Sequence, residues 1–144
     1  MTGRDALTDL AARDRIETDT TATLFVEAGA GSGKTKSLVD RVRTLVLRDG
    51  VPMAQIAAVT FTEKAGAELR DRLRAEFEGV WRARTHDFPD RAEKALEELD
   101  SAAIGTLHAF AQRILSLHPI EDLAKIGVKG HTIFSHGLKG ESAQ

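Results

Sequence analysis

One segment restricts the possible folds of this chain more than any other: the sequence Ala-Gly-Ala-Gly-Ser-Gly-Lys-Thr at residues 28–35. It follows an apolar stretch, residues 23–27, that is typical of a short buried strand. It runs into a segment, residues 34–48, whose apolar side chains recur at helical spacing. Small residues between a strand and a helix let the backbone curl with its N–H groups pointing inward, at the positive end of the helix dipole. This arrangement is typical of a loop that binds the phosphates of a nucleotide.

Two side chains at the end of this segment suit a nucleoside triphosphate and its metal ion. Lys34 is placed to reach the β- and γ-phosphates, and the Thr35 hydroxyl is placed to ligate Mg²⁺. The strict motif begins with glycine, whereas this chain has Ala28, which is also small. The alternative, a glycine-rich turn that carries Lys-Thr by chance, is disfavoured by the strand and helix predicted on either side. The predicted phosphate-binding residues are Ala28, Gly29, Ala30, Gly31, Ser32, Gly33, Lys34 and Thr35.

Apolar periodicity divides the rest of the chain into alternating helices and strands. A long helix is predicted over residues 63–84, where an apolar residue recurs at every fourth position from Ala65 to Trp81. The other predicted elements are helices at 7–16, 34–48, 91–99 and 107–118 and strands at 23–27, 56–61 and 102–105. Strands separated by helices need crossover connections, so we expect an α/β fold with a parallel sheet flanked by helices. Residues 1–119 are expected to form one partial domain, and residues 120–144, which lack periodicity, a poorly ordered tail.

Composition excludes several classes of protein. The chain has 144 residues, no cysteine and a formal net charge of −2. It therefore forms neither a disulfide scaffold nor a Cys-ligated metal site, and His131 and His136 have no carboxylate at ligand spacing. No stretch of about 18 apolar residues is present to span a membrane, and the N-terminus does not resemble a secretory signal. We expect a cytoplasmic globular protein whose surface is not basic overall.

A feature needed for nucleotide hydrolysis is missing. Hydrolases that use such a loop also hold Mg²⁺ with an acidic residue, and an apolar strand ending in Asp or Asp-Glu would supply it. The acidic candidates here are Asp100, which follows a predicted helix, and residues 121–122, which follow Pro119. We therefore expect the chain to bind a nucleotide and to hydrolyse it little or not at all by itself.

Two further segments combine with the glycine-rich loop to form a specific pattern. One is Val-Thr-Phe-Thr-Glu-Lys-Ala at residues 59–65, followed by Glu68-Leu69 and Arg72, and the other is Ile-Gly-Thr-Leu-His-Ala-Phe at residues 104–110. Together, in this order, the three segments resemble motifs I, Ia and Ib of the UvrD/Rep-type superfamily 1 DNA helicases, which include the AddA and RecB nuclease-helicase subunits. The resemblance covers about residues 7–119.

The resemblance implies a RecA-like P-loop NTPase fold, here incomplete, in an ATP- and Mg²⁺-dependent motor that moves 3′ to 5′ on single-stranded DNA. It also implies a nuclease-helicase partner subunit. Carried over to this chain, the residues that would contact the DNA strand are Thr60, Phe61, Thr62, Thr106 and His108. Hydroxyl groups can donate to phosphates, and a ring at a strand end can stack on any base. Each ring also has an alternative interpretation. Phe61 ends a predicted buried strand and could be a core residue, and His108 could be a structural hydrogen-bond partner. Phe110 belongs to an apolar stripe and is interpreted as a core residue rather than a ligand.

The chain departs from the family pattern in three places. Leu10 stands where these helicases carry a glutamine that recognises adenine, and leucine cannot form the paired hydrogen bonds of an amide. The acidic magnesium motif and the second motor domain are missing, and residues 122–144 resemble nothing expected after Pro119. A truncated, frameshifted or misjoined helicase domain would explain this. A non-catalytic nucleotide- or DNA-binding regulatory module and a small P-loop phosphotransferase are the alternatives.

Overall fold

The computed structural model describes residues 3–27, 29, 31, 33–84, 88–117 and 131–134. The helices are α1 (Gly3–Thr18), α2 (Lys34–Arg43), α3 (Glu63–Ala83), α4 (Pro89–Leu99) and α5 (Leu107–Leu117), and the strands are β1 (Ile56–Thr60), β2 (Ala103–Thr106) and β3 (His131–Phe134). A π-helical turn, Thr44–Arg48, continues α2, and a 3₁₀ turn, Met53–Gln55, leads into β1.

The three strands form a parallel sheet in the order β2-β1-β3. Ala57 pairs with Ala103 and Thr60 with Thr106, so β1 and β2 end at the same level. The predicted parallel sheet flanked by helices is confirmed. Strand β3 lies in the region where the sequence analysis assigned no element, and its Ile56–His131 register places it on the other side of β1.

The strand predicted at residues 23–27 is wrong, because these residues form no strand in the structure. Phe25, expected in the core, is 95% exposed, and Val26 is 46% exposed. Within the described residues β2 and β3 occupy both hydrogen-bonding edges of β1. The segment therefore cannot pair with the central strand, and it pairs with neither β2 nor β3.

The core lies between α3, α4, α2 and one face of the sheet. The predicted ladder of α3 is confirmed: Leu69, Leu73 and Phe77 are fully buried, and Trp81 is half-buried at its far end. These side chains pack with buried residues of the neighbouring elements: Val39, Val42, Leu45, Met53, Ile56, Ala58, Ala92, Ala95, Leu99 and Ile104. Burial of this apolar surface is the main force that holds the helices on the sheet.

The end of the α2 segment differs from the predicted continuous helix. The amide of Asp49 donates to the Thr44 carbonyl five residues back, and the chain then reverses at Gly50, whose φ is +70°. Arg91 of α4 donates to the carbonyls of Leu47 and Arg48 at 2.6 and 2.9 Å. The carbonyls left unpaired at the helix end are thus satisfied from another helix, which a local sequence pattern does not reveal.

Helix α5 has no buried side chain among the described residues, and Leu107, Leu115 and Leu117 are each more than half exposed. The predicted helix is confirmed, but its apolar stripe is covered only in part: Phe110 and Ile114 are half-buried. In the part of the chain that the structure describes, no helix is long and apolar enough to cross a membrane.

Candidate functional site

The glycine-rich loop enters α2 through left-handed backbone. Gly31 has φ +75°, and Gly33, the residue before the helix, has φ +81° and ψ +24°. Residues with a β-carbon adopt this conformation only at a cost, so glycine suits both positions. Among the described residues, a β-carbon built on Gly29 or Gly31 would meet nothing within 4 Å, so these residues leave the loop open on that side. The predicted contacts of Ala28, Ala30 and Ser32 lie outside the described residues.

The first turn of α2 is basic. It contains Lys34 and Lys36, has no acidic residue, and receives no side-chain cap. Lys36 pairs with Asp40 at 2.5 Å, one turn along. Thr35, the predicted magnesium ligand, is half-buried. A helix N-terminus carries partial positive charge and ordinarily favours acidic side chains, so a basic first turn is suited to an anion from outside the chain.

The structure brings a side chain to this loop that the sequence analysis did not connect with it. Arg13 of α1 is half-buried, and its Nη1 would lie 3.3 Å from a β-carbon built on Gly33. The spacing of Asp9 and Arg13 indicates an ion pair on one helix face, and the structure has it at 2.7 Å. Nothing in the sequence indicates which face of α1 meets α2.

The second predicted site lies at the carboxyl ends of β1 and β2. Thr60 and Thr106, which pair in register, are the last residues of these strands. The Thr62 hydroxyl accepts from the Ala65 amide at 3.1 Å, and the Thr106 hydroxyl accepts from the Ala109 amide at 3.2 Å. Thr62 therefore caps α3 and Thr106 caps α5, and the N-termini of these two helices lie at the same edge of the sheet.

A hydrogen bond links these two helix starts, because the Thr106 hydroxyl donates to Glu63 Oε1 at 3.1 Å. Below them, Gly66 and Gly105 let α3 approach β2: a β-carbon on Gly66 would lie 3.1 Å from Gly105 Cα and 3.3 Å from Thr60 Oγ1. The edge is therefore built by close backbone packing and by threonine hydroxyls.

The predicted DNA-contacting residues differ in accessibility. Phe61 is 65% exposed, so its alternative interpretation as a core residue is wrong. His108 is exposed in the first turn of α5, and Phe110 is half-buried. Thr60 is 6% exposed and its hydroxyl donates to the carbonyls of Thr62 and Gly105, at 3.0 and 3.3 Å. A direct contact of Thr60 with a DNA strand disagrees with this burial; its side chain holds the edge in place instead.

A cleft of about 430 Å³ lies between α1, α2 and α3, and sequence analysis did not predict it. Its central side chain, Arg43, contacts Glu17 and Glu76, each at 3.0 Å. Burial lowers the pKa of Arg43, but the hydrogen bonds to the two carboxylates outweigh it and raise the pKa above its usual value. Because Arg43 is held by carboxylates from two other helices, its ion pairs favour a structural role for this side chain, linking α1, α2 and α3. No cluster of metal-ligating side chains occurs among the residues described.

Comparison with known proteins decides the family. Residues 10–127, most of the chain, match the UvrD/REP helicase N-terminal domain. The chain belongs to the UvrD/REP helicase family. The resemblance deduced from the three motifs is therefore confirmed, and the match extends beyond Pro119, where the motifs end.

Individual members of the family match over about two thirds of this chain. An ATP-dependent helicase/nuclease subunit of Syntrophomonas wolfei is 38% identical over 95 residues, which are 66% of this chain and 8% of that protein. The protein of the same name from Streptococcus sanguinis is 38% identical over 94 residues, or 65% and 8%. DNA helicase II of Haemophilus influenzae is 36% identical over 97 residues, or 67% and 11%. The chain thus spans about a tenth of the length of these relatives.

Proposed function

We propose that this chain is the ATP-binding part of a 3′–5′ DNA helicase or translocase that acts on single-stranded DNA. The observation that carries the proposal is the basic, acid-free first turn of α2 behind two left-handed glycines, in a chain of the UvrD/REP helicase family. A polyphosphate would interact favourably with the partial positive charge of this helix N-terminus.

The residues present fit a magnesium nucleotide. The open side of the loop at Gly29 and Gly31 leaves room for phosphate oxygens to approach the backbone. Lys34, the first residue of α2, would hold the β- and γ-phosphates, and the Thr35 hydroxyl would ligate Mg²⁺. The bound ion would neutralise phosphate charge during transfer of the terminal phosphoryl group. The carboxylate that completes such a site is not among the motifs of this chain, so hydrolysis is proposed only for a larger motor.

The carboxyl edge of β1 and β2 is the proposed DNA-binding surface. Phe61 presents an exposed ring at the end of β1, and Thr62, Thr106 and His108 lie at the adjoining starts of α3 and α5. Stacking on a ring and hydrogen bonds to phosphates would hold a single strand without reading its sequence. Two of the relatives described above are named as helicase/nuclease subunits. For the complete motor we therefore propose a nuclease-helicase partner subunit. We also propose that the complete motor is cytoplasmic.

Calorimetric titration with Mg-ATP tests the nucleotide site. Replacing Lys34 by alanine is expected to weaken binding at least tenfold, because charge-assisted hydrogen bonds contribute about 1.5–3 kcal/mol each. Lys94→Ala is the matched control: it removes the same charge from a side chain of α4 that is 66% exposed and pairs with Glu98. It is expected to change the affinity less than threefold. A cooperatively folded chain that binds no Mg-ATP would refute the proposal.

A further inference from the structure

The side chain of Arg13, which lies on α1, approaches the glycine-rich loop from outside the loop. Helix α1 packs against α2, and Arg13 Nη1 would lie 3.3 Å from a β-carbon on Gly33, the residue before Lys34. The same construction on Gly29 or Gly31 meets no atom of the described residues within 4 Å. The guanidinium therefore lies at the helix end of the loop, where Lys34 begins α2.

The orientation of Arg13 is set by its own helix. Asp9, one turn earlier, accepts from Arg13 Nε at 2.7 Å. A guanidinium is planar and carries its five N–H donors in a fixed fork, so a bond at Nε also orients the two terminal nitrogens. With Nε directed to Asp9, Nη1 is the end that faces Gly33.

The charge around this helix N-terminus indicates the class of ligand. Arg13, Lys34 and Lys36 lie around a first turn that contains no acidic residue, with Asp9 paired to Arg13 and Asp40 paired to Lys36. Cations are disfavoured at a helix N-terminus, and they become favourable there when an anion lies between them. The forked geometry of arginine matches the paired oxygens of a phosphate.

The side chains of α1 fit a contact with the phosphates better than a contact with the nucleobase. Leu10, which stands at the place of the adenine-recognising glutamine, is 62% exposed and cannot form hydrogen bonds to a base. Arg13 lies one turn further along the helix and against the loop. Arg13 is thus located at the phosphate end of the proposed site.

From these observations we infer that Arg13 is a second cationic ligand of the polyphosphate, acting beside Lys34 and oriented by Asp9. This inference rests on the proposed nucleotide site and adds a residue outside the loop to it. It also has a consequence for selectivity: affinity resides in the phosphates, so tripolyphosphate without a base is expected to bind nearly as well as ATP.

The test compares Mg-tripolyphosphate and Mg-ATP by calorimetry on the full chain. Arg13→Gln removes the charge while keeping a long polar side chain, and it is expected to weaken both ligands by about the same factor, roughly tenfold, which corresponds to about 1.4 kcal/mol. The matched control is Arg15→Gln on the same helix, since Arg15 is 67% exposed and pairs with Asp19. It is expected to leave both affinities within twofold of the wild type.

Each other outcome has a distinct meaning. Loss of ATP affinity with unchanged tripolyphosphate affinity would assign Arg13 to the base and overturn the inference. Lys34-dependent binding that survives Arg13→Gln would overturn it as well, leaving Arg13 as the helix partner of Asp9. If the folded wild type binds neither ligand, the proposed nucleotide site fails together with the inference. Thermal melts of every variant establish that a loss of binding does not reflect unfolding.

Discussion

Replacing Gly33 by alanine tests whether the left-handed entry into α2 is a real requirement of the fold. At φ +81° an L-residue is disfavoured by about 1–2 kcal/mol. Alanine also restricts the unfolded chain, which returns about 0.4–1 kcal/mol. The new β-carbon would meet Arg13 Nη1 at 3.3 Å, the end of a flexible side chain that can move at small cost. The expected net loss in the free energy of unfolding is about 0–1.6 kcal/mol.

The matched control is Gly79→Ala. Gly79 lies inside α3, is exposed, and has nothing within 4 Å of a built β-carbon. Alanine should stabilise this helix by about 0.5–1 kcal/mol, because glycine loses more backbone entropy on folding. The same chemical change is therefore expected to have opposite signs at the two positions.

Urea denaturation followed by circular dichroism at 222 nm measures both variants. Equal slopes of unfolding free energy against urea concentration would allow the midpoints to be compared directly. If Gly33→Ala is more stable than the wild type, as Gly79→Ala is expected to be, then the left-handed conformation of Gly33 is not required in the folded chain. If Gly79→Ala does not stabilise the chain, the reference for the comparison fails and the glycine effect has been misjudged.

Two further predictions concern the DNA surface and acid stability. Phe61→Ala should weaken binding of a labelled oligo-dT by about 1–3 kcal/mol in fluorescence anisotropy and leave the urea midpoint nearly unchanged, because the ring is 65% exposed; unchanged DNA affinity would contradict the stacking role. Burial raises the pKa of Asp19, but hydrogen bonds from Thr21, the Ala22 amide and Arg15 outweigh it and lower the pKa below 3.8. The stabilisation by Asp19 is therefore present above the unfolded-state pKa and is lost as the pH falls through the folded-state value. Urea midpoints at pH 7 and pH 3 should differ less in Asp19→Asn than in the wild type, and an equal pH dependence would contradict this assignment.

Elements with strong local signals were predictable. The apolar residues of α3 recur at every fourth position, which specifies a helix with one buried stripe, and Leu69, Leu73 and Phe77 are buried as expected. Thr62 caps this helix and Gly50 ends the α2 segment, both residue types with a local preference for these positions. The family, too, was recognisable from three short segments, because their residue types and their order along the chain match the motifs of the family.

Features that depend on distant partners were not predictable. Apolar residues 23–27 have the composition of a strand, but strand formation also depends on pairing with another part of the chain, and the central strand β1 pairs with β2 and β3 instead. Strand β3 itself comes from a segment without strand periodicity and forms through backbone pairing with β1. Two carbonyls of the π turn at Thr44–Arg48 accept hydrogen bonds from Arg91, more than forty residues further along the chain.

The sequence by itself determined the α/β class, the glycine-rich loop and the identity of the side chains at both candidate sites, since these depend on residue type and short-range spacing. Only the tertiary structure decided that Thr60 is buried while Phe61 is exposed, and that Arg13 lies beside Gly33. Those two outcomes follow from how α3 closes on β2 and how α1 packs on α2. Packing between elements fixes which face of each is covered, and no local pattern contains that information.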